Sequence, residues 1–254
     1  MRGLEGRAAL VTGAGGGIGR AVVRALAGFG MRVGGLDHPE GPAMEGAAAE
    51  TRADIRDARA VEEAVGRVAA EVGPIDVLVS NAGYTLAEHM GQLTPEAWRE
   101  EVEANLSGHH HAARAVLPGM RERGRGVILN VASVNALAHY GNPAYSAAKA
   151  GLIGWTRALA VEEGRHGIRA VAIAPGTVRT PAWAARAEAR PRILERMARH
   201  YPLGRVVEPE EVADLVAFLA SDMAGAITGC VVPIDCGLTA GNRVMAFEIA
   251  GLEG

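Results

Sequence analysis

Lysine is almost missing from this chain: of 26 Lys and Arg residues, only Lys149 is a lysine. An ammonium is compact, single-point and tunable in pKa where a guanidinium is not, so the one position that departs from arginine marks a need for ammonium chemistry. Cysteine is nearly as scarce. Cys230 and Cys236 supply neither a metal-ligand quartet nor a disulfide framework, which fits a reducing compartment. Aromatic residues make up 4% of the chain, so the core must be filled by closely packed Ala, Val, Leu and Ile, as in helices lying on a parallel sheet. Positive charge is not in excess, with a net charge of -3 and a pI near 6.3. That excludes attraction to a phosphate backbone as the main business of the protein and argues against nucleic acid as a partner. No window offers the uncharged run of about eighteen residues that a spanning helix needs. The charged stretch Met1 to Arg7, with an apolar run behind it that breaks at Gly13, reads as neither signal peptide nor membrane span. The expectation is a cytoplasmic protein with a small-molecule substrate.

What is present is alternation. With 254 residues, 49% of them hydrophobic, and no linker, repeat or composition break, one domain over 1–254 is the economical reading. Apolar runs near 8–12, 31–36, 48–53, 75–79, 127–132, 168–174 and 231–235 read as strands. Between them, helical patterns fall near 17–29, 57–72, 95–120, 144–163, 182–199 and 209–221. Strand and helix in turn imply βαβ units and an α/β domain, a doubly wound, seven-stranded, mostly parallel sheet with helices on both faces. Pro39, Gly41, Pro42 and Gly46 break the stretch from Asp37 to Asp54, so an irregular loop or a single turn is expected there in place of a crossover helix.

The first strand runs into Thr12-Gly-Ala-Gly-Gly-Gly-Ile-Gly19 and then into an amphipathic helix carrying Ile18, Val22, Ala25, Leu26 and Phe29. Glycines at that junction let backbone N–H groups approach a pyrophosphate at a helix N-terminus. The second strand ends in Gly35-Leu-Asp37. A carboxylate there can accept from both ribose hydroxyls and repels a 2′-phosphate, which points to NAD rather than NADP. Gly16 leaves the glycine loop without a basic side chain, in keeping with that reading. A carboxylate that merely opens the turn toward Pro39 has the same local pattern.

Tyr145 and Lys149 lie four apart in a helix whose first turn holds Pro143, so both side chains reach one place. An ammonium beside a phenol favours the phenolate, which makes such a Tyr a proton shuttle near neutrality. A core Tyr with a solvated Lys fits the same four-residue spacing.

Taken together, Thr12 to Gly19, Asp54-Ile55, Ser80-Asn-Ala-Gly83, Asn105, Asn130-Val-Ala-Ser133, Tyr145-x-x-x-Lys149 and Pro175-Gly-Thr-Val-Arg-Thr180 resemble the short-chain dehydrogenase/reductase family, in its short single-domain branch, over nearly the whole chain. The resemblance implies a Rossmann-like domain that interconverts a secondary alcohol and a ketone by hydride transfer. In it Tyr145 is the general acid/base, Ser133 holds the substrate oxygen, Lys149 bonds the nicotinamide ribose and lowers the Tyr145 pKa, and Asn105 positions a water linking Lys149 to solvent. Gly13, Gly17, Ile18 and Gly19 would cradle the cofactor phosphates and Asp37 its ribose. Asp54 and Ile55 would flank the adenine, Asn81, Ala82 and Gly83 would line the cofactor edge, and Pro175, Gly176, Val178 and Thr180 would border the nicotinamide. The resemblance also implies a homotetramer built through the helices near 95–120 and 144–163, a lid over about 180–205, and a tail, 238–254, able to reach a neighbour's pocket. The chain departs from the family pattern in a Ser133 to Tyr145 segment one residue short, in Val171 where Asn is usual, and in Cys236 where Gly is frequent.

Asn135, His139, Tyr140, Asn142 and Trp183 are candidate substrate contacts, and their donors and acceptors lean toward a polyol, sugar or hydroxy acid. The rivals are an NADPH-dependent 3-oxoacyl-thioester reductase, against which Asp37 argues, and a cofactor-sensing protein without chemistry. His109-His110-His111 invites a metal, but consecutive helical side chains point about 100° apart and cannot converge on one ion; no metal is expected. Arg186, Arg190, Arg192, Arg196 and Arg199 read as a solvated helix paired with Glu188 and Glu195 rather than as an anion trap.

Overall fold

The computed structural model describes residues 1–252. Seven strands, β1 (Ala8–Thr12), β2 (Arg32–Asp37), β3 (Ala49–Arg52), β4 (Ile75–Ser80), β5 (Gly126–Val131), β6 (Ile168–Pro175) and β7 (Val231–Ile234), form one sheet in the order β3-β2-β1-β4-β5-β6-β7. The sequence led us to expect a mostly parallel sheet; every strand pair is parallel. β1, β4 and β5 are buried along their whole length, as strands covered on both faces must be. Alternation sorts their side chains: Val11, Val79 and Leu129 face one layer, and Leu10, Leu78 and Ile128 face the other.

The first layer holds α1 (Gly17–Gly28) and α8 (Pro209–Ala220), which pack against each other through Val22, Leu26, Val216 and Leu219. The second holds α2 (Ala58–Val72), α4 (Gly108–Arg123) and α5 (Pro143–Glu163). Connections leave β1 and β4 toward opposite edges, so a crevice opens at the C-terminal ends of these two strands, where a doubly wound sheet binds its ligand.

Residues 38–48 form no helix between β2 and β3. Arg52 replaces the missing scaffold by donating to the carbonyls of His38 at 3.1 Å, Gly41 at 2.9 Å and Pro42 at 3.0 Å. The fully buried Met44 fills the core beneath that loop.

Three features differ from the sequence expectation. The single helix expected over 95–120 is α3 (Pro95–Val102), a π-helical turn (Glu103–Ser107) and α4. The lid helix expected over 182–199 is α6 (Pro181–Ala189) and α7 (Ile193–Ala198), separated at Arg192, whose φ of 65 places it in the left-handed region; Pro191, which cannot donate the next helical hydrogen bond, sits at the break. In the tail, Arg243–Ala250 forms an unanticipated short helix, α9, and positions 253–254 of the expected 238–254 tail lie outside the described residues. No helix among the described residues is long and apolar enough to cross a membrane.

Candidate active site

The turn after β1 is tight because backbone crowds it. Gly13 has a φ of 64, and a Cβ on it would stand 2.9 Å from Ala82 Cα; a Cβ on Gly19 would stand 2.0 Å from Gly13 O. Only glycine permits that approach. β4 is tied to the same turn by the Thr12 hydroxyl, which accepts from the N–H groups of Asn81 and Ala82, both at 3.0 Å. Asn81 Nδ2 in return donates to the carbonyls of Thr12 and Gly13.

Asp37 ends β2 facing this turn. Its Oδ2 accepts from Gly15 N–H at 2.7 Å and its Oδ1 from His38 N–H at 2.8 Å. Farther along, Arg56 chelates Asp54 and reaches Glu100 Oε1 at 3.1 Å, while the Tyr84 hydroxyl donates to the same carboxylate at 2.8 Å. Hydrogen bonding to Arg56 holds the Asp54 carboxyl below its ordinary range. Burial, with that acceptor beside it, pushes the Tyr84 phenol up to about 12.

At the other end stand Ser133, Tyr145 and Lys149. Ser133 follows β5, and its Oγ accepts from Asn135 N–H at 3.2 Å; Asn135 Oδ1, at 3.5 Å, is too far to capture the hydroxyl proton. Lys149 is 2% exposed. Its Nζ lies 5.6 Å from the centre of the Tyr145 ring, donates to Val131 O at 2.8 Å and meets His109 Nε2 at 3.3 Å. Asn105 sits in the π-helical turn, where its Nδ2 donates to Tyr84 O at 2.7 Å and to Glu101 O at 2.8 Å; its buried Oδ1 has no partner.

The electrostatics of the pair depart from the sequence expectation that Lys149 lowers the Tyr145 pKa. Burial disfavours either charge standing alone. It pushes the Tyr145 phenol up, against the pull of the Ser133 hydroxyl, and brings the Lys149 ammonium down to about 7.

One cavity of about 930 Å³ runs along the crevice and joins both ends. Its walls hold Gly13, Gly17, Ile18, Asp37, Asp54, Ile55, Asn81, Ala82, Gly83, Asn105, Ser133, Tyr145, Lys149, Pro175, Gly176, Val178, Thr180 and Trp183. Five sequence candidates are off that wall. Gly19 packs behind it against Gly13. Asn135 spends its amide on Gly141 O at 2.7 Å and Ser146 Oγ at 3.0 Å, bracing the loop before α5; His139 and Tyr140 are exposed outside the cavity, and Asn142 donates its amide to Ala87 O at 3.0 Å. The lid arginines also differ: Arg186 and Arg190 pair with Glu88 at 3.1 and 3.3 Å rather than with Glu188, while Arg192 meets Glu195 at 2.8 Å. No group of three or more His, Cys, Asp or Glu side chains among the described residues could hold a metal ion.

Sequence reasoning missed Arg56, Tyr84 and Glu100 on the cavity wall, whose partnership is tertiary and leaves no local pattern. It also treated the three histidines as one cluster, although His109, four residues beyond Asn105, was separable by helical spacing.

Comparison with known proteins agrees with this geometry. A family model described as enoyl-(acyl carrier protein) reductase matches residues 13–239. An uncharacterised oxidoreductase of Schizosaccharomyces pombe is 42% identical over 247 residues, 97% of this chain and 96% of its own. An acetoacetyl-CoA reductase of Rhizobium meliloti is 40% identical over 237 residues, 91% of this chain and 98% of its own. A crystal structure of a short-chain dehydrogenase/reductase family oxidoreductase from Burkholderia thailandensis superposes with a TM-score of 0.91 at 44% identity, covering 97% of this chain and 98% of that one. The chain belongs to the short-chain dehydrogenase/reductase family. It is an oxidoreductase acting on CH–OH groups, of a family that uses a nicotinamide cofactor.

Proposed function

We propose that the protein is an NAD-dependent dehydrogenase that interconverts a secondary alcohol and a ketone, with Tyr145 as general acid/base. The observation that carries this reading is convergence. One cavity has a glycine turn and Asp37 at one end and Ser133, Tyr145 and the chain's sole lysine at the other.

The residues suit a dinucleotide. The N-terminus of α1 opens onto the cavity with the backbone of Gly15 and Gly16 beside it, a cradle for a pyrophosphate. Asp37 stands at the end of β2, where a carboxylate accepts ribose hydroxyls and repels a 2′-phosphate. Arg56, on the same wall, is already neutralised by Asp54 and Glu100, so it offers no open cation for that phosphate. The bound cofactor supplies hydride acceptance or donation.

This chain's own groups handle the oxygen and its proton. The Ser133 hydroxyl, which acts on Tyr145 and otherwise makes only a long 3.5 Å contact to Asn135 Oδ1, would turn its proton to the substrate oxygen. Tyr145 takes the hydroxyl proton during oxidation and returns it during reduction. Lys149 would hold the cofactor ribose and supplies the positive charge that a phenolate needs in a buried setting: each charge is costly alone and less so beside the other, and the two titrate as a pair. Asn105, with an unpaired buried Oδ1, positions the water that leads from Lys149 toward solvent.

With Asn135, His139, Tyr140 and Asn142 off the wall, Trp183 remains as the candidate substrate contact beside Ser133 and Tyr145, and the preferred substrate class is a polyol, sugar or hydroxy acid. The acetoacetyl-CoA reductase relative keeps a 3-oxoacyl thioester as the second reading, which Asp37 opposes to the extent that it requires NADP. A homotetramer built on α4 and α5 is supported by Val161 on α5, 82% exposed, and by a second cavity between these helices lined by His110, Leu117 and Trp155.

The test is a rate comparison with NAD and NADP over sugars, polyols, hydroxy acids and hydroxyacyl thioesters, repeated with Tyr145→Phe. Expected are turnover of at least one alcohol class, preference for NAD, and a loss of about 10²-fold or more in the variant with cofactor binding kept. Substantial residual rate in Tyr145→Phe, or preference for NADP, overturns the assignment.

A further inference from the structure

His109 is 1% exposed, and its ring touches the ammonium on which the proposed chemistry depends. Nothing so far requires a histidine there. Its Nε2 lies 3.3 Å from Lys149 Nζ and 3.1 Å from Ala82 O, while its Nδ1 is buried without a partner. A neutral imidazole carries one proton, and the two tautomers make opposite demands. With the proton on Nε2, the ring donates to Ala82 O and turns that N–H toward Lys149. With the proton on Nδ1, Nε2 presents a lone pair to the ammonium.

The neighbours choose between them. Thr156 Oγ1 donates to Leu152 O at 2.8 Å, so its oxygen is left to accept from Asn130 Nδ2 at 2.9 Å. That fixes the Asn130 amide with its oxygen as the free end, and Asn130 Oδ1 is buried and unpaired. His109 Nδ1 and Asn130 Oδ1 are thus two orphans, and Asn130 acts on the ring as a hydrogen-bonding neighbour that favours its protonated nitrogen. Only the Nδ1–H tautomer turns a proton toward Asn130 Oδ1 while leaving Nε2 a lone pair for Lys149; the two orphans are not in hydrogen-bond contact in this structure, and Ala82 O, 3.1 Å from Nε2, then receives no proton from the ring. A doubly protonated ring would satisfy Asn130 and Ala82 together but set a second cation against Lys149; burial and the Lys149 charge both depress the ring's basicity.

We infer that His109 is a positioning residue for Lys149: its Nε2 accepts a hydrogen bond from the ammonium and, with Val131 O, fixes the charge behind Tyr145. Behind the ring, Asn130 donates to Thr156 and Thr156 to Leu152 O, so the Asn130 oxygen is the end left facing His109. The other titratable groups facing this pair are Tyr145, one turn back on α5, and Glu101 on α3, whose charge acts on Tyr145; neither supplies an acceptor to Nζ. The inference rests on the proposed role of Lys149 for its catalytic meaning, but the contact itself is testable without turnover.

A single lysine makes the test direct. In protein labelled with ¹³C,¹⁵N-lysine, the one side-chain signal belongs to Lys149, and its titration midpoint is read in the wild type, His109→Leu and His109→Gln. Loss of the acceptor removes support from the charged form, so His109→Leu should titrate lower by about one pH unit. Gln, whose oxygen reaches where Nε2 stands, should restore the midpoint. An unchanged or raised midpoint in His109→Leu overturns the inference. Should the Leu variant fail to fold, ¹⁵N-histidine labelling of the wild type decides: the ring signal lost in His109→Gln must be the Nδ1–H tautomer, and an Nε2–H tautomer refutes the contact. If the midpoint shifts as expected while Tyr145→Phe retains turnover, the functional reading fails and the His109 contact stands. The reverse pattern condemns only the contact.

Discussion

The backbone N–H of Gly15 and the Asp37 carboxylate are 2.7 Å apart, so the glycine turn and the acidic end of β2 form one unit rather than two independent subsites. A 2′-phosphate arriving at Asp37 would meet a negative charge that the glycine turn itself holds in place. Asp37→Ser removes that charge, and the NAD to NADP ratio of kcat/KM should fall at least about tenfold, which is about 1.4 kcal/mol. A ratio that does not move would show that selectivity lies elsewhere on the wall.

Two glycine-to-alanine changes should act in opposite directions. At Gly19 the new Cβ would stand 2.0 Å from Gly13 O and 2.8 Å from Ala14 Cα; both are backbone, and the turn must open. Gly19→Ala should cost about 1–3 kcal/mol and weaken NAD binding. Gly66 lies inside α2 with nothing within 4 Å of a Cβ, so Gly66→Ala should stabilise by about 0.5–1 kcal/mol. Denaturant melts of the two variants test the contrast, and equal effects would mean that the crowding at Gly19 is relieved at little cost.

The alternation of apolar runs and the glycine turn made the sheet, its order of strands and helices, and the cavity's two ends legible, because burial on both faces and close backbone approach each leave a residue-type signature. The broken β2–β3 connection was legible too, in its prolines and glycines. The π-helical turn was not. Glu103-Ala-Asn-Leu-Ser107 continues a helical pattern, and a tertiary contact accompanies the extra residue: Asn105 Nδ2 bonds Tyr84 O, 21 positions away, as well as the local Glu101 O. Glu88 was missed as the partner of Arg186 and Arg190 for the same reason, since local spacing pointed to Glu188. The break at Arg192 had a visible cue in Pro191 that the run of arginines outweighed. The pKa of Tyr145 was read from charge alone, whereas burial dominates it.

The Glu88 pairing with Arg186 and Arg190 ties α6 and the residue after it to the loop after β4. The two arginine side chains are 40% and 64% exposed, so the tie is soft and screened by salt. Trypsin should cut the Arg186 to Arg199 segment faster in Glu88→Ala than in wild type, and faster in wild type at 1 M salt than at low salt. Cleavage indifferent to both changes would show that the lid is held by other contacts, such as the packing of Trp183 under Arg186.

Acid should expose the contribution of Glu211 at the start of α8. Its Oε2 accepts from Glu208 N–H at 2.9 Å and from Arg205 at 2.7 Å, and its Oε1 from Arg205 at 2.6 Å. Hydrogen bonding to Arg205, then to the Glu208 backbone, pulls its carboxyl from 4.5 to about 2. A carboxyl depressed in the folded state binds its proton more weakly there than in the unfolded chain. The stability it adds is therefore complete above the unfolded value and disappears as pH falls through the folded one. Glu211→Gln should melt about 1–3 °C below wild type at pH 7, a small gap because the ion pair is largely solvated. The gap should shrink between about pH 4.5 and about pH 2, and below that the two melting curves should coincide. Parallel curves over the whole range would mean that the Glu211 carboxylate contributes through packing and not through its charge.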